Sequence, residues 1–400
     1  PNSGERVIEV KWMQDSKNLV FTQTQRGWAN LFTISAAKGS APRQLTNKTS
    51  THRLMSMNHE RSRLAYIQGK DSLMLMNLED FNTRLLVKDN FWFRGSRPRF
   101  SPNDQFITYT AYRNFEQDVF IYNLNNANKY NLTRSGVTER QPFWSPNGKY
   151  IYLASDRYQA AFPRGTENSR IYRLPLYKFQ KAFEYDQYQK MFEDPQQNDS
   201  LNPEIKLDLE QLSRRWEQLE VKAPEQFNPY VFRKKDHSLV FFGSTHDGDY
   251  GLWKKEIKPF AENTTHKISD QDFEGIVKAR KNYYTLSEGN IHQIKPGSNE
   301  LEKMDIQHGF SKKLAHEFHQ MFYENWAILQ ENFYDKDFHG VDWKQMRRKY
   351  EVFLDHVRTR DNLRTLFNDM LGELNASHLG FYSSGEKEET YYSLETAATG

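Results

Sequence analysis

A unit of about 44 residues recurs along this chain, and it limits the possible folds more than any other feature of the sequence. Short alternating segments that follow a polar turn read KNLVFT (17–22), SRLAYI (62–67), DQFITYT (104–110), GKYIYLAS (148–155), HSLVFFGS (237–244) and KNYYTLS (281–287). Aligning Leu19, Leu64, Phe106, Tyr150, Leu239 and Tyr283 gives spacings of 45, 42, 44, 89 and 44 residues. That period lies in the range of β-propeller blades. Each unit carries a further strand-like segment, such as NLFTISA (30–36) or DVFIYNL (118–124). An outer one follows, such as NTRLLVK (82–88) or TTHKISD (264–270). The turns FSPND (100–104) and WSPNG (144–148) suit antiparallel strands, because Pro fixes φ and Asn, Asp or Gly tolerates the tight reversal. Four strands per unit, six times over, predict a β-propeller of at least six four-stranded blades; a sandwich would not impose a fixed period. The doubled spacing falls in the fourth unit. Residues 177–204 there are polar and aromatic, then rich in Pro and Asn, and are expected to be an insertion between the third and outer strands. A seventh blade, or a further domain before Pro1, stays open.

The period changes after Ile306. In 316–333, Phe318, Met321, Phe322, Trp326, Leu329 and Phe333 fall at helical spacing. A second helix is expected over 341–357, capped by Asp342, with Trp343, Met346, Tyr350, Phe353 and Val357 on one face. A third is expected over 359–374, capped by Thr359 or Asp361, with Leu363, Leu366, Phe367, Met370, Leu371 and Leu374 as its apolar stripe. The fold class is therefore mainly β with an α-helical C-terminal part. The propeller is assigned to 1–308, the helical segment to 309–385 and a linker to 386–400.

Composition removes several function classes. Charged residues are 27% and aromatic residues 14% of the 400, which is neither disordered nor collagenous sequence. Lys and Arg number 55 against 52 Asp and Glu, and the basic residues are scattered, so no nucleic-acid or membrane-surface partner is expected. No apolar run reaches the length of about 18 residues that a spanning helix needs. With no Cys, disulfides, Cys zinc sites and a Cys nucleophile are excluded, while the compartment is not fixed. His316, Glu317 and His319 read HExH rather than the HExxH of zinc peptidases and lack a third ligand, so no metal site and no cofactor are assigned. The acidic loop HDGDYG (246–251) lacks a calcium-loop pattern and sits where a blade hairpin turns.

Ser377 and His378 stand out by position. They follow the third helix in ELNASHLGFY (373–382), where Asn375 can stop the helix and HLGFY reads as the start of a strand. A His at such a junction beside a hydroxyl can act as a general base; it can equally serve to satisfy a loop carbonyl.

The run from Trp326 to Tyr382 resembles the helical core segment of tricorn-type proteases, relatives of the tail-specific proteases. NFYDKDFHGVDW (332–343), Tyr350, TRDNL (359–363) and MLGELNASH (370–378) follow in the family's order and spacing, and LDLEQLSRRWEQLEVK (207–222) resembles an outer-strand segment of its propeller. The resemblance implies a serine peptidase acting on oligopeptides or unfolded chains, with His378 as catalytic base and Ser377 as a supporting member of the set. In the family the nucleophilic Ser and an orienting Glu come later, after a PDZ-like domain. They are expected beyond Gly400, and the chain alone is expected to be inactive. Peptide substrates and a homo-oligomer are implied as partners. The compartment is left between periplasm and cytoplasm, with the periplasm favoured. Two alternatives remain at this point: a non-catalytic propeller module that binds peptides or proteins, and a propeller-bearing oligopeptidase of the α/β-hydrolase type.

Overall fold

A computed structural model describes residues 5–92, 95–157, 159–160, 168–177, 203–219, 225–234, 237–258, 263–306, 313–377 and 379–382. Six four-stranded antiparallel sheets follow one another along the chain, each with its strands in sequence order. Blade one holds β1–β4 (Val7–Trp12, Asn18–Gln25, Trp28–Ser35, Arg43–Gln44) and blade two β5–β8 (His52–Met57, Arg63–Gln68, Ser72–Asn77, Thr83–Lys88). Blade three holds β9–β12 (Arg99–Phe100, Phe106–Arg113, Glu116–Asn123, Lys129–Asn131) and blade four β13–β16 (Glu139–Trp144, Tyr150–Ser155, Arg170–Pro175, Glu217–Gln218). Blade five holds β17–β20 (Gln226–Lys234, His237–Ser244, Gly251–Ile257, Thr264–Ser269) and blade six β21–β24 (Glu274–Ala279, Asn282–Ser287, Asn290–Lys295, Glu300–Lys303). In blade four, β15 ends at Pro175 and pairs with β16, which starts at Glu217. The excursion thus separates the third and outer strands, as the doubled spacing requires; most of 177–204 lies outside the described residues.

Two compact units share the chain. One comprises Pro1–Trp12, Ser16–Arg53 and Gly309–Gly400; the other comprises Met13–Asp15 and Leu54–His308. In the second unit the middle strands are buried in runs rather than alternately, as in β10 and β18. Their two faces are covered by successive sheets: Ala65, Ile67 and Leu75 of blade two pack with Phe100, Ile107 and Tyr109 of blade three. The SPN turns are built alike. Ser101 Oγ accepts from Phe106 N–H (3.0 Å) and donates to Asn103 Oδ1 (2.7 Å); Ser145 Oγ accepts from Tyr150 N–H (2.9 Å) and donates to Asn147 Oδ1 (2.8 Å).

The first unit joins blade one to three helices: α1 (Leu314–Asn332), α2 (Trp343–Glu351) and α3 (Arg360–Gly372). Asp342 caps α2 by accepting from Gln345 N–H, and Thr359 caps α3 by accepting from Asn362 N–H. The face expected for the second helix needs one correction. α2 ends at Glu351, and a 3-10 turn follows at Leu354–His356. The tighter winding brings Leu354 into the core and leaves Phe353 50% exposed. Blade one enters the same core through Trp28, whose indole meets Trp326 edge-on at 6.1 Å. Gly27 is required there: its φ is +89°, and a Cβ would lie 2.1 Å from the Tyr323 carbonyl oxygen. Thr51 N–H donates to Glu331 Oε1 (3.0 Å), a second tie between β4–β5 chain and α1.

Candidate active site

Ser377 and His378 follow directly on α3. The helix stops because Asn375 turns left-handed (φ 44°), which Asn tolerates better than most side chains. The last turn tightens through Leu374 N–H to the Leu371 carbonyl and Asn375 N–H to the Gly372 carbonyl, both 3.1 Å. Leu374 is fully buried and anchors the segment from below. The chain then folds back along α3. Phe381 N–H donates to Asn368 Oδ1 (2.8 Å), and its ring lies 4.5 Å from that of Phe367. These contacts take the place of the strand expected at HLGFY: residues 379–382 form none. Together they shape an open groove of about 670 Å³, lined by Asn368, Leu371, Asn375, Ser377 and Tyr382 among others. Ser377 is exposed on it. His378 lies outside the described residues, so the structure places one member of the expected pair.

The loop between α1 and α2 holds this end of α3 in position. His339 Nδ1–H donates to the Leu374 carbonyl (2.8 Å), three residues before Ser377. Because a carbonyl can only accept, Nδ1 carries the proton and Nε2 accepts from the Tyr334 hydroxyl (2.5 Å). The His339 backbone is left-handed (φ 54°), and its N–H is fixed by Asp335 Oδ2 (2.9 Å). Hydrogen bonds from the Asp337 and His339 amides hold the Asp335 carboxyl below its ordinary value. Sequence reasoning singled out this loop as a motif but did not assign His339; its partner carbonyl, 35 residues away, carries no signature in the sequence. A second clamp joins α2 to α3: the Tyr350 hydroxyl donates to Glu373 Oε1 (2.8 Å), and burial together with that carboxylate pushes the phenol up to about 12.

The remaining candidates are engaged elsewhere. His319 Nδ1 bonds the Ala315 carbonyl of its own helix (2.8 Å), and Glu317 lies 3.8 Å from Arg360. Among the described residues no group of three His, Asp or Glu is placed to hold a metal ion. In the 246–251 loop, Asp247 is paired with Lys267, which also meets Asp270. No helix among the described residues is long and apolar enough to cross a membrane.

Successive four-stranded blades followed by three helices define the class, a β-propeller protein with a C-terminal helical segment. Residues 314–372 match the family model of the tricorn protease C1 domain. The chain is 40% identical over 63 residues to a tricorn-like protease C-terminal subunit of Sulfurisphaera tokodaii, which covers 16% of this chain and 7% of that protein. It is 35% identical over 79 residues to tricorn protease homolog 1 of Streptomyces coelicolor, covering 18% and 7%. A crystal structure of the tricorn protease superposes with a TM-score of 0.69 at 14% identity, covering 94% of this chain and 38% of that one. The likeness to tricorn proteases is carried by the C1 domain over 314–372 and by the shared fold, and the chain spans well under half the length of the relatives it matches.

Proposed function

We propose that this chain supplies the catalytic base of a tricorn-like serine peptidase that hydrolyses peptide bonds in oligopeptides or unfolded chains. The observation that carries the reading is the C1-domain match over 314–372, which ends a few residues before Ser377 and His378 in the sequence, with Ser377 on the groove beside α3. In this reading His378 takes the proton of a serine hydroxyl as that oxygen attacks the peptide carbonyl. It then returns the proton to the leaving amine, and water repeats the cycle on the acyl-enzyme. The serine and the oxyanion-binding amides come from outside residues 1–400. Ser377 supports the base through orientation, and His339 acts one step further back by holding the Leu374 carbonyl.

The test is hydrolysis of fluorogenic oligopeptides by the complete protein as its gene encodes it. His378→Ala is expected to lower kcat by about 10³–10⁶-fold with folding intact. Ser377→Ala is expected to cost less. Unchanged turnover in His378→Ala would remove that residue from the mechanism, and an equal or larger loss in Ser377→Ala would reverse the two roles. A wild-type protein that binds peptides but leaves them uncleaved would favour the non-catalytic module.

A further inference from the structure

Where the chain passes from blade three to blade four, two acids are buried together. Asp118 lies in β11 and Glu139 opens β13; Asp118 is 4% exposed and Glu139 0%. Residues 132–138 join the two blades, and two of them bridge the pair. The Thr133 hydroxyl donates to Asp118 Oδ1 (3.2 Å) and also reaches the Glu139 carboxyl. Ser135 gives its N–H to Asp118 Oδ1 (3.3 Å) and its hydroxyl to Glu139 Oε1 (2.5 Å). Asn131, at the end of β12, donates its side-chain amide to Asp118 Oδ2 (2.6 Å). Ser155, at the end of β14, donates its hydroxyl to Glu139 Oε1 (3.4 Å). Every donor in this set is neutral.

Neither acid has an ion-pair partner among the described residues. Arg113 feels the Asp118 charge, but Asp89 holds its guanidinium in two hydrogen bonds, at 2.7 and 2.8 Å. Arg140, next to Glu139 in the chain, is balanced by Asp156 and Glu225. The decisive feature is Glu139 Oε2, which is fully buried and has no hydrogen-bond partner among the described residues. A bare carboxylate oxygen beside a second carboxylate, away from water, is costly unless something positive meets it. Burial, with the Asp118 charge acting in the same direction, raises the Glu139 carboxyl to about 7. Near neutral pH, a proton and a cation therefore compete for the same oxygen.

We propose that a calcium ion binds between Glu139 and Asp118, with Glu139 Oε2, the Asp118 carboxylate and the hydroxyls of Thr133 and Ser155 as its protein ligands. The donor set is all oxygen, which selects a hard cation over zinc or copper. Two carboxylates match a double charge. Calcium takes about six to eight oxygens in irregular arrangements, whereas magnesium demands a near-ideal octahedron and gives up its waters reluctantly. The set holds two acids rather than three, and hydroxyls make up the remainder. Because the ligands come from both blades and the chain that joins them, the ion staples blade three to blade four. The site is separate from the proposed peptidase chemistry and is tested by binding alone, so an inactive protein leaves the test intact.

The experiment strips the full chain of metal with EGTA, then follows its unfolding midpoint and its heat of titration near pH 7.5. Calcium chloride is expected to bind saturably and to raise the midpoint by about 5 °C at a hundredfold excess over Kd. Magnesium chloride and potassium chloride are expected to bind at least 10-fold more weakly. Glu139→Gln and Asp118→Asn should each weaken calcium at least 10-fold. Asp156→Asn, at a buried acid just after β14 that has Arg140 as its counter-charge, should leave calcium affinity unchanged. Should both carboxamide variants fail to fold, Ser155→Ala is read instead and should weaken calcium at least 3-fold. No saturable binding at millimolar calcium overturns the proposal. So does magnesium or potassium binding as tightly as calcium, unchanged affinity in the variant that is read, or an equal loss in Asp156→Asn.

Discussion

In the helical segment, the indoles of Trp326 and Trp343 exchange hydrogen bonds: each Nε1–H donates to the other's backbone carbonyl, at 2.8 and 3.1 Å. In a cavity of the second unit, the Arg99 guanidinium lies over the rings of Phe143 (4.3 Å) and Tyr230 (5.5 Å), and the described lining includes no Asp or Glu. Both regions bury aromatic surface, yet the first pairs its two indole N–H groups with backbone carbonyls while the second sets a buried guanidinium against ring faces. Internal matching of this kind fixes a structure, because an orphaned buried group costs about 1–3 kcal/mol. A guanidinium over ring faces is attracted by their quadrupoles, a tie that fixes position less sharply than a pair of directed hydrogen bonds.

That contrast can be broken or sharpened by substitution. The largest effect is expected from Trp343→Ala, which removes a ring that stacks on Phe338 at 5.6 Å and also removes the indole N–H that donates to the Trp326 carbonyl. It should cost about 3–5 kcal/mol in denaturant unfolding of the first unit. A cost near zero would mean that the reciprocal pair is ornamental. Next comes Glu139, which begins β13 beside Arg140. Its Oε1 accepts from Ser135 and Ser155, while Oε2 has no partner among the described residues. Burial raises its carboxyl from 4.5 to about 7. A raised folded value means the folded state holds the proton more tightly, so the associated stability is present below pH 4.5 and is lost as pH climbs through 7. The loss should be on the order of 3 kcal/mol, and Glu139→Gln should flatten it; an equal slope in that variant would place the titration elsewhere. The smallest effect is expected from Arg99→Met without ligand. Removing this buried cation should raise the unfolding midpoint by roughly 2–4 °C, whereas a fall would show that its hydrogen bond to Tyr230 and its two ring contacts outweigh the cost of burying the charge.

Much of the architecture was legible because it rests on local rules that repeat. Alternation in segments such as DQFITYT and the SPN turn appear in the sequence itself, and the hydroxyl–amide bonds of Ser101 and Ser145 are the reason the pattern works. Asp342 and Thr359 were readable as caps on the same grounds. What escaped depends on geometry that sequence spacing does not carry. A single continuous helix puts Phe353 in the core, and only the switch to 3-10 winding puts Leu354 there instead. The cavity draws Arg97 and Arg99, Tyr112, Gln141 and Tyr230 from three blades, and its left-handed Gln141 lacks the Gly or Asn that would announce it. Arg99 reads as one scattered basic residue because the rings of Phe143 and Tyr230 that flank it are far away in sequence. At the groove, the stop of the third helix at Asn375 was legible in the sequence, but the bond from His339 to the Leu374 carbonyl was not.

The Gly27–Tyr323 contact has a consequence for synthesis. Blade one leaves the ribosome early, yet Trp28 finishes its packing on Trp326, and Thr51 waits for Glu331, 280 residues later. At translation rates of about 5–20 residues per second, that interval is roughly 15 to 55 seconds. During it the nascent blade must keep its apolar edge from other chains. A slow codon stretch or a holding chaperone acting in that window would therefore alter the yield of folded protein without altering a single native contact.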